Sequence, residues 1–253
     1  MNNNIIHHQD EKESIRINKY LSEQGICSRR EADKLVEQKR ITINGIVAEP
    51  GSKVTPYDEV MLDKKIISKK EDSCIYIAFN KPVGITCTTD RAIKGNIVDY
   101  INYPERIFHI GRLDKDSEGL ILMTNDGDIV NKILRASNNH EKEYIVTVNK
   151  PVTDDFIKGM SSGVKILNTV TNPCKVVKFD RYVFKIILTQ GLNRQIRRMC
   201  SSFDYKVVKL KRIRIMNIEL GSLPTGNWRY LTDSELQKLN SLISTSVKTE
   251  EAK

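Results

Sequence analysis

The chain has 253 residues, 39% of them apolar and 29% charged, enough to bury one large core or a small domain beside a larger one. Its formal charge of +9 and sequence pI near 9.2 favour a polyanionic partner, nucleic acid before an anionic membrane. A membrane role is disfavoured, because no apolar run approaches the roughly 20 residues that span a bilayer and no Lys-rich amphipathic anchor stands out. Cys27, Cys74, Cys87, Cys174 and Cys200 are odd in number and scattered, with no CxxC pair, so neither a disulfide framework nor a thiolate zinc site is expected. His7 and His8 sit near the start while His109 and His140 lie far apart, so no histidine metal site is expected either.

Residues 1–14, MNNNIIHHQDEKES, are polar and lack the basic start, apolar middle and small-residue cleavage site of a signal peptide. They read as a disordered tail on a cytoplasmic protein. Residues 15–63 read as the first folded unit. Ile17, Leu21 and Ile26, then Ala32, Leu35 and Val36, recur at helical spacing on either side of Gly25. Ser28 and Glu31 predict a capping box on the second helix. The stretch ITINGIVAEPGSKVTPYDEVML then alternates around an Asn44-Gly45 hairpin signal and a Pro50-Gly51 turn.

Arg16, Lys19, Arg29, Arg30, Lys34, Lys39 and Arg40 cluster on these helices and just before the first strand. On charge alone a solvated helix face is as good a reading as a binding surface. Residues 64–73 are short and charged and read as a linker that leaves the first unit mobile. From residue 74 to 243, runs such as IYIAFNKPVGITC, FHIGRLD, EGLILMTND, EYIVTVN, VFKIILTQ and YKVVKLKRIRIMNIEL read as strands. Few helices interrupt them, which predicts an α+β domain on a mixed, mainly antiparallel sheet. DIVNKILRAS reads as a helix, LTDSELQKLNSLI as a last helix capped at Thr232 or Asp233, and residues 244–253 as a frayed tail.

Within that domain GRLDKDSEGLILMTNDGD places Asp114 in a loop that feeds a buried strand. Loops on a rigid sheet carry function, yet a turn acid paired with Arg112 or Lys115 explains the tripeptide as well. In QGLNRQIRRMC a helix would bring Arg194, Arg197 and Arg198 to one face, suited to carboxylate or phosphate. KEYIVTV puts Tyr144 on a strand, and YKVVKLKRIRI carries Lys206, Lys209, Lys211, Arg212 and Arg214. None of these decides a function alone.

Taken in order they do. IRINKYLSEQGICSRREADKLVEQKRITINGIVAEPGSKV resembles the S4 RNA-binding domain, including Ser28-Arg29-Arg30, Ile43-Asn44-Gly45 and Asp58. NKPVGITCTT, GRLDKDSEGLILMTNDGD, KEYIVTV, GLNRQIRRM and KLKRIRI resemble the successive motifs of the RsuA and RluB/E/F-type pseudouridine synthases, nearest to the F-type branch. The resemblance implies an S4 module that grips folded RNA by phosphate contacts and shape, with Arg16, Lys19, Arg29, Arg30, Lys39 and Arg40 as its contacts. It also implies a cofactor-independent isomerase that breaks the N1–C1′ bond of a flipped uridine, turns the base and joins C5 to C1′.

Asp114 falls at the family's nucleophile, which must stay ionised, as a neighbouring cation favours. Arg197 matches its basic partner and Tyr144 the tyrosine that stacks on the base. Leu210 matches an apolar pocket wall, and Arg112 the side chain that fills the gap left by the extruded base. Arg194, Arg198, Lys209 and Arg212 are expected to bind substrate, and Lys81-Pro82 to shape the site. The implied partner is ribosomal RNA, 23S first, with a tRNA anticodon arm as a further target; a monomer is expected. Alternatives are a 16S or neighbouring 23S uridine, a non-catalytic S4 ribosome-assembly protein, and a DNA-binding regulator. The last explains the charge but not the Asp, Tyr and Arg set. Loops that choose the uridine lie outside the motifs.

Overall fold

The computed structural model describes residues 14–68, 74–134 and 139–244. The expected tails (all of 1–14 but its last residue, all of 244–253 but its first) and residues 69–73 of the linker lie outside that range.

In the N-terminal unit, β1 (Ile15–Arg16) leads into α1 (Ile17–Glu23) and α2 (Arg29–Glu37), followed by β2 (Ile41–Ile43), β3 (Ile46–Val47), β4 (Lys53–Val54), β5 (Val60–Leu62) and β6 (Lys65–Ile66). The capping box forms as expected: Glu31 N–H donates to Ser28 Oγ at 3.3 Å, and Ser28 N–H to the Glu31 carboxylate at 2.7 Å. Asn44 and Gly45 both take positive φ, as a two-residue β2–β3 hairpin requires. Ile17, Leu21, Ala32, Val36 and Ile41 pack the core of this unit. Ile67 joins that core, and β6 pairs with β5. The start of the expected linker therefore belongs to the small sheet, because Ile67 gains more from burial beside Val60 than from solvent.

The second unit comprises β7 (Tyr76–Lys81), α3 (Ile97–Ile101), β8 (Phe108–Ile110), β9 (Glu118–Thr124), α4 (Gly127–Leu134), β10 (Lys142–Val148), α5 (Asp154–Ser161), the hairpin β11 (Lys165–Ile166) and β12 (Thr169–Val170), β13 (Lys175–Asp180), β14 (Val183–Leu188), α6 (Gln195–Ser201), β15 (Val207–Ile215), β16 (Ile218–Glu219), β17 (Trp228–Tyr230) and α7 (Asp233–Ile243). Nine strands form one sheet, in the order β13-β14-β10-β15-β9-β7-β17, with β16 beside β15 and β8 beside β9. Every pairing is antiparallel except β15 with β9, so the chain is α+β with a mixed, mainly antiparallel sheet. Apolar residues of β7 and β9 face both ways. One set packs on α4 and α7 through Ile129, Leu236 and Leu239, the other on α3 through Ile97. The half built on β10 and β14 packs on α5 and α6 through Phe156, Ile196 and Met199. Thr232 caps α7 in a second capping box, with Glu235.

The parallel junction positions the functional residues. The loop holding Asp114 enters β9 and the turn holding α6 enters β15. Since those strands run the same way, both entrances lie at one end of the sheet. Residues far apart in sequence thereby become neighbours.

The two units touch. Lys19 Nζ donates to Asp128 Oδ1 at 2.7 Å and lies 3.3 Å from Glu23, while Arg106 reaches Ser22 Oγ at 3.3 Å. Burial opposes the charge on Lys19, but the Asp128 hydrogen bond and the two acids raise its pKa on balance.

Candidate active site

Asp114 stands in a tight turn between β8 and β9, closed by Ser117 N–H donating to the Asp114 carbonyl at 3.0 Å. Its side chain is 34% exposed and 3.5 Å from Arg194 Nη1. Arg194 chelates Asp116 with both terminal nitrogens, at 3.2 and 3.0 Å. Its hydrogen bonds, and then the charges of Arg197 and Arg194, hold the Asp116 carboxyl below the usual range against burial. Arg197, expected as the partner of Asp114, grips the turn instead. Its Nη2 donates to the Asp116 carbonyl at 2.9 Å and to Ser117 Oγ at 3.2 Å. The reason is helical geometry: Arg197 lies within α6 over the turn's backbone, whereas Arg194 precedes the helix as its N-cap with φ of 48°. That left-handed backbone costs a non-glycine residue about 1 kcal/mol or more and swings the guanidinium to the carboxylates.

Asp114, Arg112, Tyr144, Leu210, Arg194 and Arg197 line one cavity of about 120 Å³. Pockets for drug-sized ligands measure roughly 300–1,000 Å³, so this smaller space suits a single planar base with its sugar and phosphates outside. Tyr144 and Leu210 come from adjacent strands, β10 and β15, on the sheet face that α6 covers. Gln195, outside the expected set, accepts from Leu192 N–H at 3.0 Å and so shapes the turn before α6.

Three expected substrate contacts sit elsewhere. Arg198 folds back on Asn193, donating to its carbonyl at 3.1 Å. Lys209 pairs with Glu118 at 3.1 Å. Arg212 is 3% exposed; its Nε donates to the Leu120 carbonyl at 2.7 Å, so it belongs to the interior of the sheet, out of reach of a phosphate. Lys81, also buried, donates to the carbonyls of Pro82 and Ile85 at 2.8 and 2.9 Å and so shapes the NKPVG loop. Burial lowers its pKa although Asp116, Asp114 and Glu118 pull the other way.

Of the expected S4 contacts, Arg16, Arg29, Arg30 and Lys39 are exposed. Lys19 is engaged by Asp128, and Arg40 is chelated by Asp63, with Nε at 2.9 Å. Asp116, which no sequence motif singled out, holds both arginines. Its only signal was a second acid in DKDSE.

Residues 75–202 match the family model described as RNA pseudouridylate synthase, and residues 15–60 match the S4 domain. The chain belongs to the RNA pseudouridine synthase family. The synthase is 57% identical over 234 residues to the dual-specificity RNA pseudouridine synthase RluF of Escherichia coli strain K12, covering 92% of this chain and 81% of that one. It is 31% identical over 236 residues to ribosomal large subunit pseudouridine synthase B of Bacillus subtilis strain 168, covering 90% and 96%. A crystal structure of a pseudouridylate synthase superposes with a TM-score of 0.66 at 30% identity, over 89% of this synthase and 99% of that chain. The synthase is thus an RNA-modifying isomerase carrying an RNA-binding module.

Proposed function

We propose that this synthase converts one uridine of 23S ribosomal RNA to pseudouridine, with Asp114 as nucleophile. The observation that carries the reading is the convergence of Asp114, Tyr144 and Leu210 on a base-sized cavity, with Arg194 beside the carboxylate. A uridine's C1′ and C5 are shielded while the base is stacked, so the nucleotide must be extruded. Arg112, exposed at the rim, fills the space the base leaves. The ring enters between Tyr144 and Leu210. The carboxylate attacks the sugar or the base, the N1–C1′ bond breaks, the base turns within the cavity, and C5 joins C1′ as the bond to the carboxylate breaks and frees it. The C5 proton leaves and N1 gains one, so composition is unchanged and no cofactor is called for. Arg197 keeps the turn closed so that Asp114 stays aimed inward.

Arg16, Arg29, Arg30 and Lys39 form the phosphate-binding face of the S4 module, which recognises a folded RNA segment by shape and charge. The synthase acts as a monomer in the cytoplasm; among the described residues no helix is long and apolar enough to cross a membrane. A tRNA anticodon-arm uridine is a second target, favoured by the dual specificity in the name of the 57%-identical relative.

The test is to map pseudouridines in ribosomal RNA and tRNA from cells lacking the synthase, complemented with wild type or Asp114→Ala. We expect one 23S site to vanish and only wild type to restore it, and purified Asp114→Asn to show no turnover. Full activity in either Asp114 variant would overturn the mechanism, and persistence of every site in the deletion would overturn the assignment.

A further inference from the structure

We infer that Arg212 is a positioning residue that sets the ring of Tyr144 against the base-sized cavity; this rests on Tyr144 being a wall of the reaction site. Four residues lie in one cross-strand row: Lys81 opposite Gly119, Gly119 opposite Arg212, and Arg212 opposite Tyr144. Paired residues project from the same face of a sheet, so Arg212 and Tyr144 are side by side. Gly119 makes this possible. A Cβ there would stand 2.2 Å from the Arg212 carbonyl oxygen, so only glycine lets β9 come this close to β15, and the Arg212 side chain crosses it to reach Leu120 on β9.

The anchorage of Arg212 is one-sided. Its Nε holds the Leu120 carbonyl, its Nη2 has no hydrogen-bond partner, and its guanidinium carbon is 6.0 Å from the centroid of the Tyr144 ring. That distance is at the outer edge of the range over which a cation is attracted by a ring face. A buried donor without a partner is destabilising, and the ring is the electron-rich surface Arg212 has beside it. Arg212 does not line the cavity, whereas Tyr144 does, so the influence of Arg212 on a bound base runs through Tyr144. Its effect belongs to the chemical step and not to RNA capture.

The experiment is a double-mutant cycle on the full-length synthase, with a 23S-derived stem-loop transcript carrying the target uridine, reading the single-turnover rate at saturating RNA and the RNA Kd. Arg212→Met is expected to lower the rate at least tenfold and to change Kd less than twofold. In a Tyr144→Leu background the same change should cost less than twofold further. If Arg212→Met does not fold, Arg212→Lys serves in the cycle, with a loss of about threefold that also disappears beside Tyr144→Leu. A raised Kd with an unchanged rate at saturation would make Arg212 a substrate contact and overturn the inference. Equal losses in both backgrounds would overturn it too, as an effect independent of Tyr144. A wild-type enzyme inactive on every candidate transcript, or Tyr144→Leu with wild-type turnover, would instead overturn the functional reading beneath it.

Discussion

Lys142 shows how a single buried charge shapes stability. It sits on β10 two residues before Tyr144, 7% exposed, and its ammonium donates to the His140 carbonyl at 3.1 Å. Burial first, and then repulsion from Arg212, push its pKa down to about 8. Below that pH both folded and unfolded chains carry the proton, and the fold bears the cost of a buried charge. Between about 8 and the ordinary lysine value, the folded chain gives up the proton while the unfolded chain keeps it. Stability therefore rises with pH across that window. Lys142→Met should be the more stable protein at neutral pH, by on the order of 2–3 kcal/mol, and should lose the alkaline rise. Urea melts at pH 7 and pH 10 check this; a parallel offset at both pH values would show that packing, not ionisation, separates the two proteins. The arginines teach a related lesson. The spacing of Arg194, Arg197 and Arg198 was legible as a cationic cluster, but which one meets Asp114 depended on the left-handed backbone at Arg194, which no residue type in GLNRQ announces.

At the scale of elements, what the chain spells locally is what the sequence revealed. Ser28 with Glu31 and the Asn44-Gly45 turn bind their partners within a few residues, and both formed as read. The strand-rich α+β character also followed from alternation alone. The parallel pairing of β9 with β15 was not legible, since it joins segments roughly ninety residues apart and leaves no periodic trace. Without that pairing Arg212 looks like one more cation of a basic strand; with it, Arg212 becomes interior and Gly119 indispensable. Gly119→Ala adds a methyl group that meets the Arg212 carbonyl oxygen at 2.2 Å and nitrogen at 2.7 Å, on a backbone with φ of 105°. Backbone atoms have no rotamer with which to yield, so the strands must part. The expected cost is about 3 kcal/mol, a fall in Tm of roughly 6–12 °C for a chain of this size, together with loss of turnover as Arg212 leaves Leu120. Calorimetry beside a turnover assay tests it. A Tm within 2 °C of wild type would mean the junction is looser than the pairing implies.

For the whole molecule, the expectation that the S4 module is mobile meets a structure in which it rests on the catalytic unit through Lys19 and Asp128. The two are reconciled by magnitude. The Lys19 and Asp128 side chains are 16% and 25% exposed, and Arg106 adds a 3.3 Å bond to Ser22. A partly exposed ion pair contributes on the order of 1 kcal/mol, less in salt, so we expect the contact to open when RNA phosphates compete for Lys19. Asp128→Asn removes the negative charge without altering shape. It should shift the population towards separated modules, seen as a larger radius of gyration in small-angle scattering at low salt. It should also tighten RNA binding by up to about fivefold, since Lys19 no longer has to leave a carboxylate before it meets a phosphate. Lys19→Ala should enlarge the molecule in the same way but weaken RNA binding and flatten its salt dependence by about one phosphate contact. The opposed effects of the two variants on RNA, with the same effect on shape, separate competition for Lys19 from a simple loosening of the protein. If both variants weaken binding, the docked arrangement is the one that receives RNA, and Asp128 serves the complex by holding the module in place.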